Sequence, residues 1–327
     1  MSGHNAPASE LDTLSREQPS AKRAGARSDG ASGIKSSAVM VSFHTGPILF
    51  DAIESVLAQN GLCDLILVDN GNEREILVEI QRRAADDPRL TLISGHGNVG
   101  FARGCNIGAR RARGDLLAFI NPDCVLPPGA VPRLVAEAKT LTRPWLLGCR
   151  MVNADGTDQR ASRREILTPW TALAETLRLD RLMPNHPTFR RLNQHEIPLP
   201  PHTAPVPAIS GAFMLLPAED YWAVGGMDEG YFLHVEDLDF CFRFRAKGGE
   251  IYFVPDISIT HHMGTSKVSI FWIEWCKTRG FVRYFRKNFS GECARPLMVA
   301  LIGGIFVRFA LKCAAIATAR ALNVVRR

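Results

Sequence analysis

Apolar residues along this chain fall into short continuous runs that alternate with stretches repeating every three to four positions. The first run, Ala38-Val-Met-Val-Ser-Phe43, ends in polar His44-Thr-Gly46 and predicts a strand. Pro47 stands where a first helical residue belongs, and Ile48, Leu49, Ala52, Ile53, Val56 and Leu57 follow at helical spacing. Asp64-Leu-Ile-Leu-Val-Asp69 predicts a second strand, halted by Asn70-Gly71. A helix over 73–85, a strand over 90–93, a helix over 101–113 and a strand over 116–120 continue the alternation. Such units predict an α/β domain with a mostly parallel central sheet flanked by helices.

After Met151 the rhythm changes. A helical stretch at about 168–182 leads into a connection carrying Pro184, Pro187, Pro198, Pro200, Pro201, Pro205 and Pro207. An apolar strand over 209–216, a helix from near Glu236 and a strand over 250–254 restore the core, and an extended piece reaches His261-His262. Residues 1–37 are rich in Ser, Ala, Gly and charge and predict a disordered tail. The expected folded domain is therefore 38–290, with 153–207 inserted in it and 291–327 following as a separate helix.

Composition narrows the function. With 46% apolar residues in 327, a sizeable core is affordable, and wholesale disorder or a collagen-like chain is excluded. Eight Cys without a CxxC pair fit reduced thiols in the cytoplasm better than a disulfide scaffold or zinc ribbon. The first 37 residues hold no apolar signal run. Charge is uneven: residues 276–327 hold eleven Lys/Arg and one acid, Glu292, for +10, so the rest of a +6 chain nets −4. No nucleic-acid groove is expected across that acidic body.

The basic end is also apolar. Pro296–Val307 is twelve residues without charge, too short to span a bilayer alone. On a helix Arg308, Lys312, Arg320 and Arg326 project at about 0°, 40°, 120° and 0°, one basic stripe beside an apolar face. Arg279, Arg283, Arg286 and Lys287 share a stripe on the preceding helix. The expectation is a basic amphipathic helix lying peripherally on an anionic membrane surface; packing on the core or on a second copy is the other reading.

Four constellations could carry chemistry. Gly95-His-Gly97-Asn-Val-Gly100 matches a dinucleotide-binding GxGxxG, but two strand–helix units precede it, whereas that fingerprint sits on the first strand. Asn121-Pro122-Asp123 ends a strand, where α/β proteins bind ligands and a hard cation finds oxygens, although all three are turn formers. Glu236, Asp237 and Asp239 crowd a helix start behind the Gly225-Gly226 turn; they serve the helix dipole, and their crowding can also poise a base. In His261-His-Met-Gly264-Thr-Ser266, neighbouring strand side chains point to opposite faces, so one imidazole at most serves a site.

Taken in order, Asp69, Asn98-x-Gly100, Asn121-Pro-Asp123, Gly225-Gly, Glu236-Asp237 and His261-x-x-Gly264-x-Ser266 resemble the family 2 glycosyltransferases of GT-A fold. The rhamnosyltransferase-like branch that builds cell-surface polysaccharide is the nearest, and the resemblance covers about 38–289. It implies an inverting transfer from a nucleoside diphospho-sugar to a lipid-linked or glycan acceptor at the inner face of the cell membrane, with Mg²⁺ or Mn²⁺. It implies that Asp69 binds the nucleotide base, lined by Ser42, His44 and Thr45, with Asn98, Gly100, Phe101, Asn106 and Asn121 around the donor. Asp123 and His261 would hold the metal, Asp123 as the main carboxylate because Asn121 replaces the family's first Asp. Asp237 would be the base, supported by Glu236 and Asp239, and 153–207 would shape the acceptor side. A sugar-nucleotide nucleotidyltransferase would want a basic Gly-rich loop near the first strand, and Ser42–Gly46 has no Lys or Arg. A non-catalytic nucleotide-sugar sensor would not need Asp237.

Overall fold

The computed structural model describes residues 34–176, 192–266 and 268–325. Its first half follows the predicted alternation: β1 (Ser36–Ser42), α1 (Ile48–Leu57), β2 (Leu62–Asp69), α2 (Arg74–Asp86), β3 (Leu90–Ile93), α3 (Phe101–Arg111) and β4 (Leu116–Ile120). Next come β5 (Cys124–Val125), α4 (Ala130–Ala138), β6 (Trp145–Val152), β7 (Arg163–Arg164), α5 (Pro169–Thr176), β8 (Ala204–Pro205) and β9 (Ala208–Ile209). β10 (Phe213–Pro217), α6 (Ala218–Ala223), α7 (Glu236–Ala246), β11 (Glu250–His261), α8 (Ile270–Phe289) and α9 (Arg295–Val325) complete the chain.

The sheet runs β3-β2-β1-β4-β10-β6-β11-β5, with β8 added to β11. Its long strands are parallel except β10, which runs against both β4 and β6. Alternate residues of each strand enter opposite layers, as the two-residue period of a pleat requires. Val39, Val41, Ile66, Val68, Leu117 and Phe119 enter one core, with residues of α3, α7 and α8. Ala38, Met40, Leu65, Leu67, Leu116 and Ala118 enter the other, with α1 and α4. α3 lies so close to the sheet that a Cβ on Gly104 or Gly108 would come within 2.7 Å of Val41 or 2.4 Å of Val39.

Several expectations shift. Ser36 and Ser37 are already buried in β1, and Ser37 Oγ accepts the N–H groups of Arg113 (3.1 Å) and Gly114 (2.7 Å), so order starts before Ala38. The rest of the expected tail, 1–33, lies outside the described residues, as do Pro184, Pro187 and positions 177–182 of the expected helix. β6 and α4 escape the sequence pattern; β6 is buried on both faces and shows no alternation. The strand expected over 209–216 is two strands, broken at Ser210-Gly211.

α9 packs antiparallel on α8. Arg320 lies over the Phe271 ring, Trp275 meets Phe306 and Phe309, and Lys312 and Arg308 reach the buried Glu274 at 3.1 and 3.6 Å. Arg308, Lys312 and Arg320 of the expected stripe thus lie along α8, half-exposed or exposed, Arg326 lies outside the described residues, and Leu297, Val299, Val307 and Leu311 stand exposed. The stretch Arg295–Ala321, 27 residues, is long and apolar enough to cross a membrane by length and composition, which Pro296–Val307 alone is not.

Candidate active site

Two of the motifs meet around one dipeptide, Gly211-Ala212. Ala212 O accepts the N–H of Asn121 at 2.9 Å, which places the Asn121-Pro-Asp123 turn on one side. Gly211 N–H donates to Asp237 Oδ2 at 2.9 Å, which places the start of α7 on the other. A Cβ on Gly211 would lie 2.9 Å from that of Asp237, so only glycine allows the approach. The break between β9 and β10 exists at this point.

Beside Asp123, His261 Nε2 lies 3.2 Å from Oδ1, and the Asn121 amide lies 3.4 Å from the same nitrogen. Gln159 settles the imidazole tautomer. Its Nε2 donates to His261 O (2.7 Å) and Asn153 Oδ1 (3.0 Å), so its Oε1 accepts the Nδ1–H of His261 at 2.8 Å. With Nδ1 committed to Gln159, Nε2 is the ring nitrogen that meets Asp123 Oδ1, and the two are placed to share a cation. Thr265 Oγ1 donates to Asp123 Oδ2 at 3.2 Å and orients it. An oxygen and a neutral imidazole suit Mn²⁺ or Mg²⁺. Cys124 completes a cluster with them, but burial pushes its thiol up and its Sγ faces Ala212 O at 3.6 Å.

At the ends of β1 and β2, Asp69 Oδ1 accepts the N–H of Gly71 (3.2 Å), the N–H of Asn72 (2.8 Å) and Asn72 Nδ2 (2.6 Å). Asn72 also bonds Ser42 Oγ (3.1 Å) and Thr45 N (3.3 Å), and Ser42 meets Thr45 at 2.9 Å, so one amide ties the first two strand ends together. His44 takes φ +47° in this loop. Asn98 Oδ1 caps Gly100 N at 3.0 Å. Gly100 has φ +86°, and a Cβ there would lie 2.6 Å from Phe232 O, which accepts the N–H of Phe101 at 2.8 Å. Asn106 sits elsewhere. Its amide bonds Met227 O and N (2.9 and 3.0 Å) and Tyr221 Oη (2.5 Å), stapling the Gly225-Gly226 turn from within.

The three acids of α7 have separate environments. Asp239 is fully buried and holds Tyr231 Oη (3.1 Å), Arg243 Nε (2.6 Å) and Lys287 Nζ (2.9 Å), which ties α7 to α8. Glu236 is buried near Cys105 with Oε2 unbonded; burial first, then the Asp237 charge, pushes its carboxyl up to about 8. Burial would raise Asp237 too, but the Arg164 charge and hydrogen bond and the N–H groups of Gly211 and Leu238 outweigh it and hold its carboxyl below the usual range. The helix start is aimed by His234 and Val235, both at positive φ, 68° and 74°, a conformation costly for a β-branched residue. The Gly-Gly turn expected to do this braces Asn106 instead.

Asn72, Gln159, Arg164 and Gly211 were not among the candidates from sequence. Gly211 had a signal, as a lone glycine inside a strand pattern marks a break. Gln159 and Arg164 had none, since both lie in the 153–207 segment, which has no readable period.

An acid and an imidazole able to hold a cation, with an ionised helix-start carboxylate nearby, fit a transferase acting on activated, diphosphate-bearing donors. Residues 37–202 match the model of glycosyl transferase family 2, and the chain belongs to that family. Over 241 residues it is 26% identical to the N-acetylglucosaminyl-diphospho-decaprenol L-rhamnosyltransferase of Mycobacterium tuberculosis, covering 70% of this chain and 76% of that one. A mannosyltransferase from Pyrobaculum calidifontis, solved with GDP-Man and Mn²⁺, shares the fold at TM-score 0.54 and 13% identity over 96% of this chain and 86% of that one. GalNAc-T7, solved with UDP, GalNAc and Mn²⁺, does so at 0.56 and 18% over 77% of this chain and 48% of that one. The fold is GT-A.

Two measurements check this site. Titration calorimetry with Mn²⁺ and a nucleoside diphosphate should show Asp123→Ala and His261→Ala weakening metal binding at least about tenfold, and His262→Ala leaving it unchanged. Glu236 binds its proton more tightly folded than unfolded, so its contribution to stability is full below its ordinary value, near 4.5, and is lost as pH rises through about 8. Thermal unfolding should therefore show Glu236→Gln gaining on the parent as pH rises from about 5 to about 9.

Proposed function

We propose that this chain is an inverting, metal-dependent glycosyltransferase that moves a sugar, with rhamnose the leading candidate, from a nucleoside diphospho-sugar to a lipid-linked acceptor in cell-surface glycan synthesis. The observation that carries it is the ionised Asp237, held by Arg164 and by Gly211, whose neighbour Ala212 braces Asn121-Pro-Asp123. A base must be deprotonated before reaction. Asp237 is, whereas Glu236, pushed up to about 8, is not at neutral pH. The relative's acceptor is a diphospho-decaprenol, which supports a lipid-linked acceptor here.

In this reading the loop of Ser42, His44 and Thr45 with Asp69 takes the nucleotide, and the Asn98–Phe101 turn closes on its other side. Asp123 and His261 would hold a cation, which when bound would supply positive charge to offset that of the departing diphosphate. Arg164 and Gly211 occupy Oδ2 of Asp237, and Oδ1, which accepts the Leu238 N–H at 2.8 Å, uses its second lone pair to take the proton of the acceptor hydroxyl. As that oxygen bonds to the anomeric carbon, the diphosphate leaves from the opposite face and the centre inverts.

The enzyme works at the cytoplasmic face of the membrane, with α9 lying in the interface. Its outer side presents Val299, Val307 and Leu311 without a charge. A spanning orientation would pull the cations of α8, packed alongside, into hydrocarbon.

Asp237→Asn should lose about 10²–10⁴-fold in turnover with donor binding unchanged, and Glu236→Gln should lose far less, both read from release of the nucleoside diphosphate. A silent Asp237→Asn change would remove the catalytic reading and leave a nucleotide-sugar sensor. Changing Val299, Val307 and Leu311 together to Glu should release the folded protein from membranes, since burying each side chain is worth roughly 1.5–3 kcal/mol. High salt should detach the parent only partly, because apolar burial is unscreened.

A further inference from the structure

Between α8 and α9 lies an open cleft of about 470 Å³ lined by Arg279, Val282, Arg283, Arg286, Lys287 and Phe306. Four of its six lining residues are cations. Asp228 pairs with Arg283 (2.8 Å) and Lys287 (2.6 Å), and Asp239 also takes Lys287 (2.9 Å). Arg279 and Arg286, both exposed, have no ion pair among the described residues. The cleft therefore presents two uncommitted guanidinium groups on a background that is already neutralised. A guanidinium is the side chain best matched to phosphate oxygens, which it can grip in pairs.

Two further features say what kind of phosphate compound fits. One wall is Phe306, and beyond it runs the uncharged outer face of α9 with Val299, Val307 and Leu311. An anionic head in the cleft thus has an apolar surface beside it for a tail. The other feature is proximity to the chemistry. Gly280, next to Arg279, lies against His234 O, and a Cβ there would be 3.0 Å from that oxygen. His234 is three residues before Asp237. Asp228, which carries Arg283 and Lys287, opens the loop whose Phe232 carbonyl caps the Asn98–Phe101 turn. The cleft is thus attached to the base and to the donor loop by the single segment 228–237.

The geometry points to this cleft as the site that holds the diphosphate of a lipid-linked acceptor, with Arg279 and Arg286 as its phosphate ligands and the lipid tail along α9. This rests on the glycosyltransferase reading above, and it adds which acceptor group is bound and by which residues. Two free cations match a diphosphate better than the single charge of an ordinary anionic phospholipid, and the segment 228–237 joins the head group's site to the carboxylate that takes the acceptor proton.

The test uses the full chain in detergent, with farnesyl diphosphate as the probe and a chelator present so that no metal at Asp123 can hold the diphosphate. Trp272 and Trp275 on α8 give a fluorescence readout. The parent should bind farnesyl diphosphate more tightly than farnesyl monophosphate or inorganic pyrophosphate, and not bind farnesol. Replacing Arg279 and Arg286 together by Ala should weaken it at least about tenfold, and replacing both by Lys should restore part of that. In the same Ala variant, thermal protection by a nucleoside diphosphate with Mn²⁺ should stay at the parent level, which shows a folded protein with an intact donor site. Unchanged farnesyl diphosphate affinity in the Ala variant would overturn the proposal. So would equal loss of binding to farnesyl diphosphate and to phosphatidylcholine vesicles containing phosphatidylglycerol, since the cleft would then be a general anionic-lipid contact. A parent that binds farnesyl diphosphate as expected yet releases no nucleoside diphosphate from any donor would instead count against the glycosyltransferase reading alone.

Discussion

The buried pair of Arg164 and Asp237 is the constraint on which the site depends. Each side chain is only about a tenth exposed, at 11% and 13%. An ion pair at that depth gains little net stability, because both charges leave water, but removing one partner strands the other and costs about 3–5 kcal/mol. Its consequence is specificity of position. Arg164 also donates to Ile209 O at 3.1 Å, so β7, β9 and the start of α7 are drawn to one point. The antiparallel pairing of Arg163 and Arg164 with Ile209 and Ala208 completes that attachment. The segment after β6, which looks like an insertion, thus reaches Asp237, the proposed base, and helps hold its carboxyl below the usual range.

The rest of the site is arranged by small residues and strain. Gly100, Gly211 and Gly226 each stand where a Cβ would strike a backbone or side-chain atom that the site needs. His234 and Val235 carry a conformation worth of order 1–3 kcal/mol each in strain, and surrounding contacts compensate for it. Asp239 is one source of that compensation, through four partners on three sides: Tyr231, Arg243, Lys287 and Asn288. Asn106 is another, since its amide uses both ends on Tyr221 and the Met227 backbone. These residues share motifs with the chemistry but act by holding backbone in place.

The C-terminal helix pair follows a different logic. α8 keeps its cations outward on one side and gives Glu274 to the cations of α9 on the other. α9 can therefore present an apolar outer face without leaving charge unpaired against the protein. The charge-rich end of the chain is split by this packing into an internal ion-pair layer and a cationic cleft.

By itself the sequence determined the alternation of strands and helices from β1 to β4, because each of these elements has one dominant period and a turn residue at its end. It also determined the strand-end acids, the Gly-rich turns and the order of motifs, because these are local in the chain. Only the tertiary structure decided the rest. β6 could not be read, since burial on both faces erases alternation. Gln159 and Arg164 could not be read, since their role comes from contacts 102 and 73 residues away, with His261 and Asp237. The pairing of Arg308 and Lys312 with Glu274 depended on where Glu274 lies on a neighbouring helix. Local pattern records which side chains share a face, whereas which partner that face meets is settled by packing over distances that no local period encodes.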